Sequence, residues 1–249
     1  QDKSLKILES NFDFKNGKLG ILGQINDVLN LDNYNLAVSL NNVEANAITN
    51  IKYVRELEYF NFLKDISINS GFISKAFFEI ESFENKKEVK SLLANLEKLN
   101  MRFKKVNTVF FSDLIVEMQN KRLIMTTKSA RLSETENKKV SIKQGKFEIK
   151  DYVNFFKMKS NYSLSAYVES DYQYLIDIAK NETPINLKNF TLNRLQGLIK
   201  IDFNLFSFYE KTTDKNKLKY RIEGEVENFS TIENKNLKPI PFKLKNFNG

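Results

Sequence analysis

Apolar and polar residues alternate over much of this chain, and that alternation constrains the fold more than any other feature. The longest alternating stretch runs from Phe156 to Glu169. Its apolar side carries Phe156, Met158, Ser160, Tyr162, Leu164, Ala166 and Val168. Two further stretches, Leu195–Leu205 and Leu218–Val226, follow the same period. Because successive side chains of a β-strand point to opposite faces, the pattern predicts long strands with one apolar and one polar face.

Turn signals separate many of the alternating stretches. Asn16-Gly17 lies between two short apolar runs and is the strongest hairpin signal in the sequence. Gln144-Gly145 stands in similar surroundings and predicts a second hairpin turn. The likeness of the two turns suggests a repeated strand-turn-strand unit. Counting all stretches, we expect about a dozen strands.

Helical spacing occurs in three places. The first is Val54, Leu57, Phe60 and Leu63, after a capping Thr49-Asn50. The second is Val89, Leu92, Leu93 and Leu96. The third begins at Ser170 and ends near Pro184. We therefore expect two or three short helices.

These elements define a mainly β fold without an obvious linker. We expect one continuous segment over residues 1–249, with possible sub-units 1–97 and 98–249. The helices are too few to cover one face of a dozen-strand sheet. The sheet must therefore close on itself, as in a sandwich or barrel, or leave apolar surface open. Periodicity alone favours the sandwich.

The composition removes several kinds of catalytic site. The chain has no His and no Cys, so a Ser-His-Asp triad, a thiol nucleophile and a His- or Cys-ligated zinc are excluded. A metal would have to be a hard cation bound by oxygen. Carboxylate pairs such as Glu134/Glu136 and Glu223/Glu225 leave a carbohydrate-directed enzyme as one alternative. We expect no enzyme, no metal and no cofactor.

The formal net charge of +8 arises from 39 Lys and Arg against 31 Asp and Glu. Nucleic-acid binding would combine clustered cations with exposed stacking aromatics. In the alternating stretches the aromatics stand on the face opposite the charges, and acids are interleaved with the cations, as in Arg221–Glu225. We therefore expect a solvated outer face with a mild preference for anionic lipid, and no nucleic-acid partner.

No apolar run approaches the roughly 18–20 residues of a membrane-spanning helix. The sequence begins at Gln1 without a signal peptide and ends at Gly249. We interpret it as a segment of a longer protein, so targeting signals could lie elsewhere.

The order of elements in the second half carries a family resemblance. Asp171–Phe208 reads as a short helix, Pro184, a strand through Gly197 and the apolar end Phe-Asn-Leu-Phe-Ser-Phe. Lys217–Ser230 continues with Tyr-Arg-Ile-Glu-Gly-Glu-Val. This order resembles the AsmA-like superfamily, in particular the YhdP-type proteins of Gram-negative bacteria and their TamB relatives. The resemblance covers most of the chain, best over about 98–245, and rests on degenerate strand motifs.

The resemblance implies a repeating β-groove, an elongated open trough of long twisted antiparallel strands with an apolar concave face. It implies a periplasmic protein held in the inner membrane by a segment outside this one. Phospholipid would pass between the inner and outer membranes along the trough. The partners would be phospholipid acyl chains and neighbouring repeats of the same chain. The family offers no catalytic residues to carry over.

Ten residues are the predicted lining of the groove. They come from the three cleanest alternations and are Phe156, Met158, Tyr162, Leu164, Ile199, Ile201, Phe203, Tyr220, Ile222 and Val226. The alternative function is a non-catalytic β scaffold for envelope assembly that docks partner proteins at its open strand edges. On either reading we expect unprotected terminal strands at Leu5–Phe14 and Phe242–Leu244.

Overall fold

The structure is a computed structural model. It describes residues 4–14, 17–26, 33–49, 66–83, 86–103, 109–135, 138–155, 159–175, 196–230 and 240–246.

Twelve strands and a few short helices make up the described part of the chain. The strands are β1 (Leu5–Phe14), β2 (Gly17–Ile25), β3 (Tyr34–Glu44), β4 (Ile66–Phe83), β5 (Lys86–Phe103), β6 (Val109–Gln119), β7 (Arg122–Thr135), β8 (Lys138–Ile149), β9 (Tyr162–Asp171), β10 (Gln196–Glu210), β11 (Lys215–Ser230) and β12 (Ile240–Asn246). The helices are α1 (Ala45–Thr49), α2 (Tyr152–Phe155) and a helical segment at 172–175.

All twelve strands belong to one antiparallel sheet. The strands lie in chain order from β1 to β12, so each described strand pairs with its sequence neighbours. β1 pairs only with β2, and β12 only with β11, among the residues that the structure describes. The mainly β class is therefore confirmed. The sheet is unclosed there, and no second sheet packs against it as a sandwich would require.

Strand register separates the two faces of the sheet, because directly paired residues of neighbouring strands point to the same side. One series of paired residues crosses eleven strands, and every member is apolar. This apolar row consists of Phe12, Leu19, Leu40, Ala76, Ala94, Val116, Met125, Phe147, Leu164, Leu205 and Tyr220. The face that carries it is called face A.

The adjacent series of paired residues, one position along each strand, lies on the opposite face, called face B. This polar row consists of Asp13, Lys18, Asn41, Lys75, Asn95, Ile115, Thr126, Lys146, Ser165, Asn204 and Arg221. Ile115 is its one apolar member. At the level of these two rows the sheet has an apolar and a polar side, as the alternation predicted. Elsewhere face B also carries exposed apolar side chains, such as Phe77, Leu93 and Phe206.

Two predictions of local structure are wrong. Gln144-Gly145 is not a hairpin turn, because β8 runs through it as one strand with a bulge between Lys143 and Lys146. The segment Val89–Leu96 is not a helix but part of β5. In both cases a bulge interrupts the alternation, and the shifted spacing imitates a turn or a helix.

Other boundaries differ more modestly. The Asn16-Gly17 hairpin is confirmed, since β1 and β2 pair up to Phe14 and Gly17. The alternating stretch that begins at Phe156 is a strand from Tyr162 onwards. Residues 159–161 are not in a strand, and residues 156–158 lie outside the described residues. Residues 172–175 are helical as expected. The predicted helix Val54–Leu63 lies outside the described residues. The boundary proposed at 97/98 falls inside β5.

The sheet buries little of its apolar surface deeply. Among the described residues only Leu99, Ser82 and Ser207 have side chains that are less than 2 % exposed.

Candidate apolar binding face

Face A carries buried apolar side chains in some places and partly exposed ones in others. Phe78, Phe110, Phe147 and Phe203 are all partly exposed. The buried residues of the same face include Leu99, Met118 and Ile149 as well as alanines such as Ala76 and Ala94. In a sealed core the phenylalanines would be the first to be buried, because they remove most apolar area from water. Face A is therefore an apolar surface that the described residues seal only in part.

Eight of the ten predicted lining residues lie together on face A. Leu164 pairs directly with Leu205, and Phe203 pairs directly with Ile222, so these residues of β9, β10 and β11 point to the same face. By the same register Tyr162, Ile199, Ile201, Tyr220 and Val226 join it. Phe156 and Met158 lie outside the described residues.

Three short segments pack against face A at separate places. Ala45 of α1 packs with Ile73, Ala76, Ala94 and Leu99. Tyr152 of α2 packs with Met118 and Ile149. Tyr172, at the start of the third helical segment, packs with Ile199, Ile201, Ile222 and Val226. We call these three segments covers. Each is short, and the predicted lining residues of β10 and β11 lie beneath Tyr172.

Bulges in neighbouring strands line up across the sheet. The register shifts between Leu96 and Leu99 in β5, and between Ser112 and Ile115 where β6 pairs with β7. It shifts again between Lys143 and Lys146 in β8. Lys98 and Gln144 have positive φ angles of 52° each, as does Gly71 of β4 at 130°. We call this series, from Gly71 to Gln144 across β4–β8, the bulge line.

Hydrogen bonds connect the strands along the bulge line. The Lys98 backbone N–H donates to Asp113 Oδ1 at 2.7 Å. The hydroxyls of Ser112 and Thr127 are 2.8 Å apart, and Thr127 Oγ1 donates to the Ser129 carbonyl at 2.7 Å. Side chains thus take over part of the pairing where the backbone ladder is interrupted.

Face B carries ion pairs between neighbouring strands. Glu148 accepts a hydrogen bond from Arg122 Nε at 2.9 Å and pairs with Lys146 Nζ at 3.1 Å. Burial raises the pKa of Glu148, but the bonds from Lys146 and Arg122 outweigh burial and hold that pKa below its ordinary value. Lys200 donates to Glu227 at 2.5 Å. This bond raises the pKa of Lys200 and lowers that of Glu227. The arrangement keeps face B charged and hydrated.

One cavity of about 1040 Å³ lies on face B, and the sequence did not predict it. Its lining includes Phe77, Leu93 and Ile124 together with Arg122 and Glu148. Phe77 and Leu93 are directly paired and are 41 % and 47 % exposed. They interrupt the polarity of face B because β4 and β5 carry apolar residues on both faces. The adjacent apolar residues Phe77-Phe78 and Leu92-Leu93 were the signal available in the sequence.

The carboxylates do not assemble a metal centre in the described part of the chain. No group of three or more acidic side chains there could hold an ion. Glu223 and Glu225 lie on face B, and Glu223 pairs with Arg221 at 2.6 Å. Of the other predicted pair, Glu136 lies outside the described residues.

Among the described residues, none of the helices has the length and hydropathy needed to cross a bilayer. Comparison of the chain with protein-family models, with curated proteins and with solved structures finds no match.

Proposed function

We propose that this chain binds the acyl chains of phospholipid on face A and forms part of a lipid-conducting bridge. The observation that carries the proposal is the apolar row, which is uninterrupted from Phe12 to Tyr220. An apolar surface that crosses eleven strands is far longer than the scattered exposed side chains of an ordinary domain. Hydrocarbon chains are the ligand that such a surface fits, because burial on it is non-directional.

The bulge line supports a trough on face A. A bulge bends its strand and increases the local twist. When bulges align across β4–β8, the strands bend at the same level, and the sheet folds along that line. The two halves of each strand then form the walls of the proposed trough, and face A is its inner surface.

The dimensions suit a lipid path. Twelve strands spaced by about 4.8 Å give a path roughly 53 Å long. In β8, Gly145 stands four residues before Ile149 and seven after Lys138. At about 3.3 Å per residue the walls are roughly 13 and 23 Å high. One leaflet of a bilayer is about 15 Å of hydrocarbon. The taller wall is longer than one acyl chain, and the shorter wall falls about 2 Å short of it.

The family resemblance adds a location to the proposal. As a segment of an AsmA-like, YhdP-type protein, the chain would lie in the periplasm of a Gram-negative bacterium. A segment outside this one would hold it in the inner membrane, and neighbouring repeats would extend the path to the outer membrane.

Native mass spectrometry of the purified chain tests the proposal. The chain is extracted without delipidating detergent, and the bound species are identified after gas-phase release. Phospholipid at one or more molecules per chain is the expected result. A second sample is stripped of lipid and mixed with vesicles of phosphatidylethanolamine and phosphatidylglycerol. Failure to carry lipid in both samples would contradict the proposal.

A scaffold that docks partners at its edges is the second candidate. Its supporting observation is β1, where Leu5, Leu8 and Phe12 are 49 %, 72 % and 50 % exposed. An edge strand with exposed apolar side chains can accept a strand from another protein. The scaffold reading predicts partner binding that survives delipidation and is lost when β1 is altered.

A further inference from the structure

The cavity of about 1040 Å³ on face B crosses five strands and has two unlike sides. One side is a series of directly paired residues across β4–β8, which are Phe77, Leu93, Glu117, Ile124 and Glu148. The other side is polar, and its lining includes Ser91, Gln119 and Arg122 of the adjacent paired series. With strands spaced by about 4.8 Å, β4 and β8 are about 19 Å apart. The cavity is therefore an elongated groove that runs across the strands, and we call it the face B groove.

The β4–β5 end of the face B groove is apolar. Phe77 and Leu93 are directly paired there and remain exposed. Ile124 continues the apolar lining toward β8. Ligand sites combine apolar side chains of this kind with a few polar groups that fix the orientation of the ligand. This end of the groove accordingly suits the apolar part of a ligand.

The β8 end of the groove carries a surplus of positive charge. Arg122 and Lys146 both bond to the carboxylate of Glu148, at 2.9 Å and 3.1 Å. Lys150 also lines the groove, is exposed, and makes no ion pair within the described part of the chain. Three cations thus share one carboxylate. A negatively charged group of a ligand would complete this arrangement.

Glu117 lies in the middle of the groove and gives it a direction. It pairs directly with Leu93 on one side and with Ile124 on the other, and it is exposed. Its negative charge repels an anion from the middle of the groove. An anionic group is therefore favoured at the β8 end only. Because Glu117 is exposed, its carboxylate stays hydrated beside an apolar ligand.

We infer that the face B groove binds a single-chain amphiphile with an anionic head, such as a fatty acid or a lysophospholipid. The head lies at Arg122 and Lys150, and the tail lies along Ile124 toward Leu93 and Phe77. The hydrocarbon of one bilayer leaflet is about 15 Å thick, so one tail and its head fit into about 19 Å. The groove is on the face opposite the apolar row, so this inference does not rest on the proposed function.

Titration of the lipid-stripped chain with palmitate and with palmitoyl lysophosphatidylglycerol, each below its critical micelle concentration, tests the inference. Hexadecanol supplies the same tail without the charge, and inorganic phosphate supplies an anion without the tail. Lys150→Glu changes the charged end of the groove, and Leu93→Asp changes the apolar end. The matched controls are Lys75→Glu and Phe206→Asp, which place the same new side chains on face B outside the groove. Each variant is also made in the Leu205→Asp background, which separates the groove from face A.

The charged end should act on the anionic ligands alone. An exposed ion pair strengthens binding by up to about fivefold. Lys150→Glu replaces an attraction by a repulsion, so the affinity for palmitate and for the lysophospholipid should fall at least about fivefold. The affinity for hexadecanol should stay unchanged. Leu93→Asp should weaken all three ligands at least about fivefold, because it removes apolar contact from the tail. Lys75→Glu and Phe206→Asp should bind as the wild type does.

Several outcomes would overturn the inference. Equal losses in Lys150→Glu and Lys75→Glu would show an effect of overall charge. Displacement of palmitate by inorganic phosphate at a similar concentration would show a plain anion site. Binding of neither anionic amphiphile would exclude the site, whereas the tighter of the two would identify the source of the head.

The background variants separate this inference from the proposed function. Binding that is lost in Leu205→Asp and insensitive to Leu93→Asp would place the amphiphile on face A, overturning the inference and leaving the proposed function standing. If Leu205→Asp does not fold, the wild-type background decides. If Leu93→Asp does not fold, Phe77→Asp replaces it. Loss of folding in both would show that these side chains support the sheet and would also overturn the inference.

Discussion

The backbone N–H of Lys98 donates a 2.7 Å hydrogen bond to the carboxylate of Asp113 on the neighbouring strand. Lys98 is at the bulge of β5, where its φ of 52° takes the backbone into the left-handed region. The bond joins β5 to β6 at the level where both lose regular register. Asp113 therefore holds the bulge of β5 against β6 at one position of the bulge line.

Removing the Asp113 acceptor should weaken the contact between the β5 bulge and β6. Asp113→Ala should lower the free energy of unfolding by about 1 kcal/mol, the value of one side-chain to backbone hydrogen bond. Asp113→Asn keeps an acceptor oxygen and should restore most of that loss. Urea unfolding of the three proteins measures the difference. Equal losses in both variants would show that the bond does not support the bulge.

Glycine substitutions at the bulge line should have opposite effects at Lys98 and Gly71. Lys98→Gly relieves a left-handed backbone, so the stability should stay unchanged or rise by up to about 1 kcal/mol. Gly71→Ala should cost about 1–3 kcal/mol. Its φ is +130°, and the new Cβ would lie 2.9 Å from Leu99 Cα. Thermal melting compares the two. A destabilised Lys98→Gly and a neutral Gly71→Ala would contradict the assigned backbone.

Regular strands were predictable because each has its apolar and polar residues in strict alternation. Tyr220 and Ile222 of β11, for example, alternate with Lys219, Arg221 and Glu223 without a break. Bulges were not predictable, since one extra residue shifts the phase of the alternation without any fixed sequence signature. Lys98 and Gln144 adopt left-handed backbone although neither is glycine. Gln144-Gly145 therefore has the residue types of a hairpin turn, although the strand continues through it.

The candidate site was predictable in part for the same reason. Register places Leu164, Phe203 and Ile222 on one face, which needs only a period of two and antiparallel neighbours. The covers were beyond sequence reasoning. Tyr152 and Tyr172 lie at the ends of alternating stretches, and nothing local shows that they pack over residues far along the chain.

Glu148 should make the free energy of unfolding depend on pH in the acid range. Its folded pKa lies below its ordinary value, so the ionised pairs with Lys146 and Arg122 stabilise the fold above the unfolded value of about 4.3. That contribution is lost as pH falls through the lower folded pKa. Glu148→Gln should therefore melt below the wild type at neutral pH, and the two should converge below about pH 4.

An exposed acid on β1 supplies the control for Glu148. Glu9→Gln should leave melting nearly unchanged at neutral pH, because Glu9 is exposed. Differential scanning calorimetry across the acid range measures all three proteins. A difference in melting temperature between the wild type and Glu148→Gln that grows toward low pH would contradict the assigned pairing.

A charge on face A should block lipid binding without unfolding the sheet. Leu205 belongs to the apolar row, and its neighbour Phe206 points to face B and is 43 % exposed. Leu205→Asp places a carboxylate against hydrocarbon, so bound lipid should fall about tenfold or more. Phe206→Asp should keep wild-type binding. Retained lipid in Leu205→Asp would contradict the assignment of face A.

Melting of the same pair distinguishes an open face from a sealed one. On an open face the new carboxylate of Leu205→Asp stays hydrated, and the melting temperature should remain within a few degrees of that of Phe206→Asp. A buried, unpaired charge would instead cost several kcal/mol. A much lower melting temperature for Leu205→Asp alone would favour a sealed core.

The two terminal strands differ in how well their edges resist pairing. Both terminal strands pair on one side only in the described part of the chain, but β12 contains Pro241, paired with Glu225, which offers no N–H. β1 has no proline and exposes Phe12 by 50 %.

The chain should therefore self-associate through β1 at high concentration, since an apolar free edge is a template for pairing. Phe12→Lys should suppress this association, because a lysine on the edge strand resists burial against a second chain. Leu22→Lys is the matched control, since Leu22 is also 50 % exposed but belongs to β2, which is paired on both sides. Light scattering over a range of concentrations measures the average mass of the three proteins. A wild type that stays monomeric throughout, or an equal effect of both lysines, would show that β1 is not the associating edge.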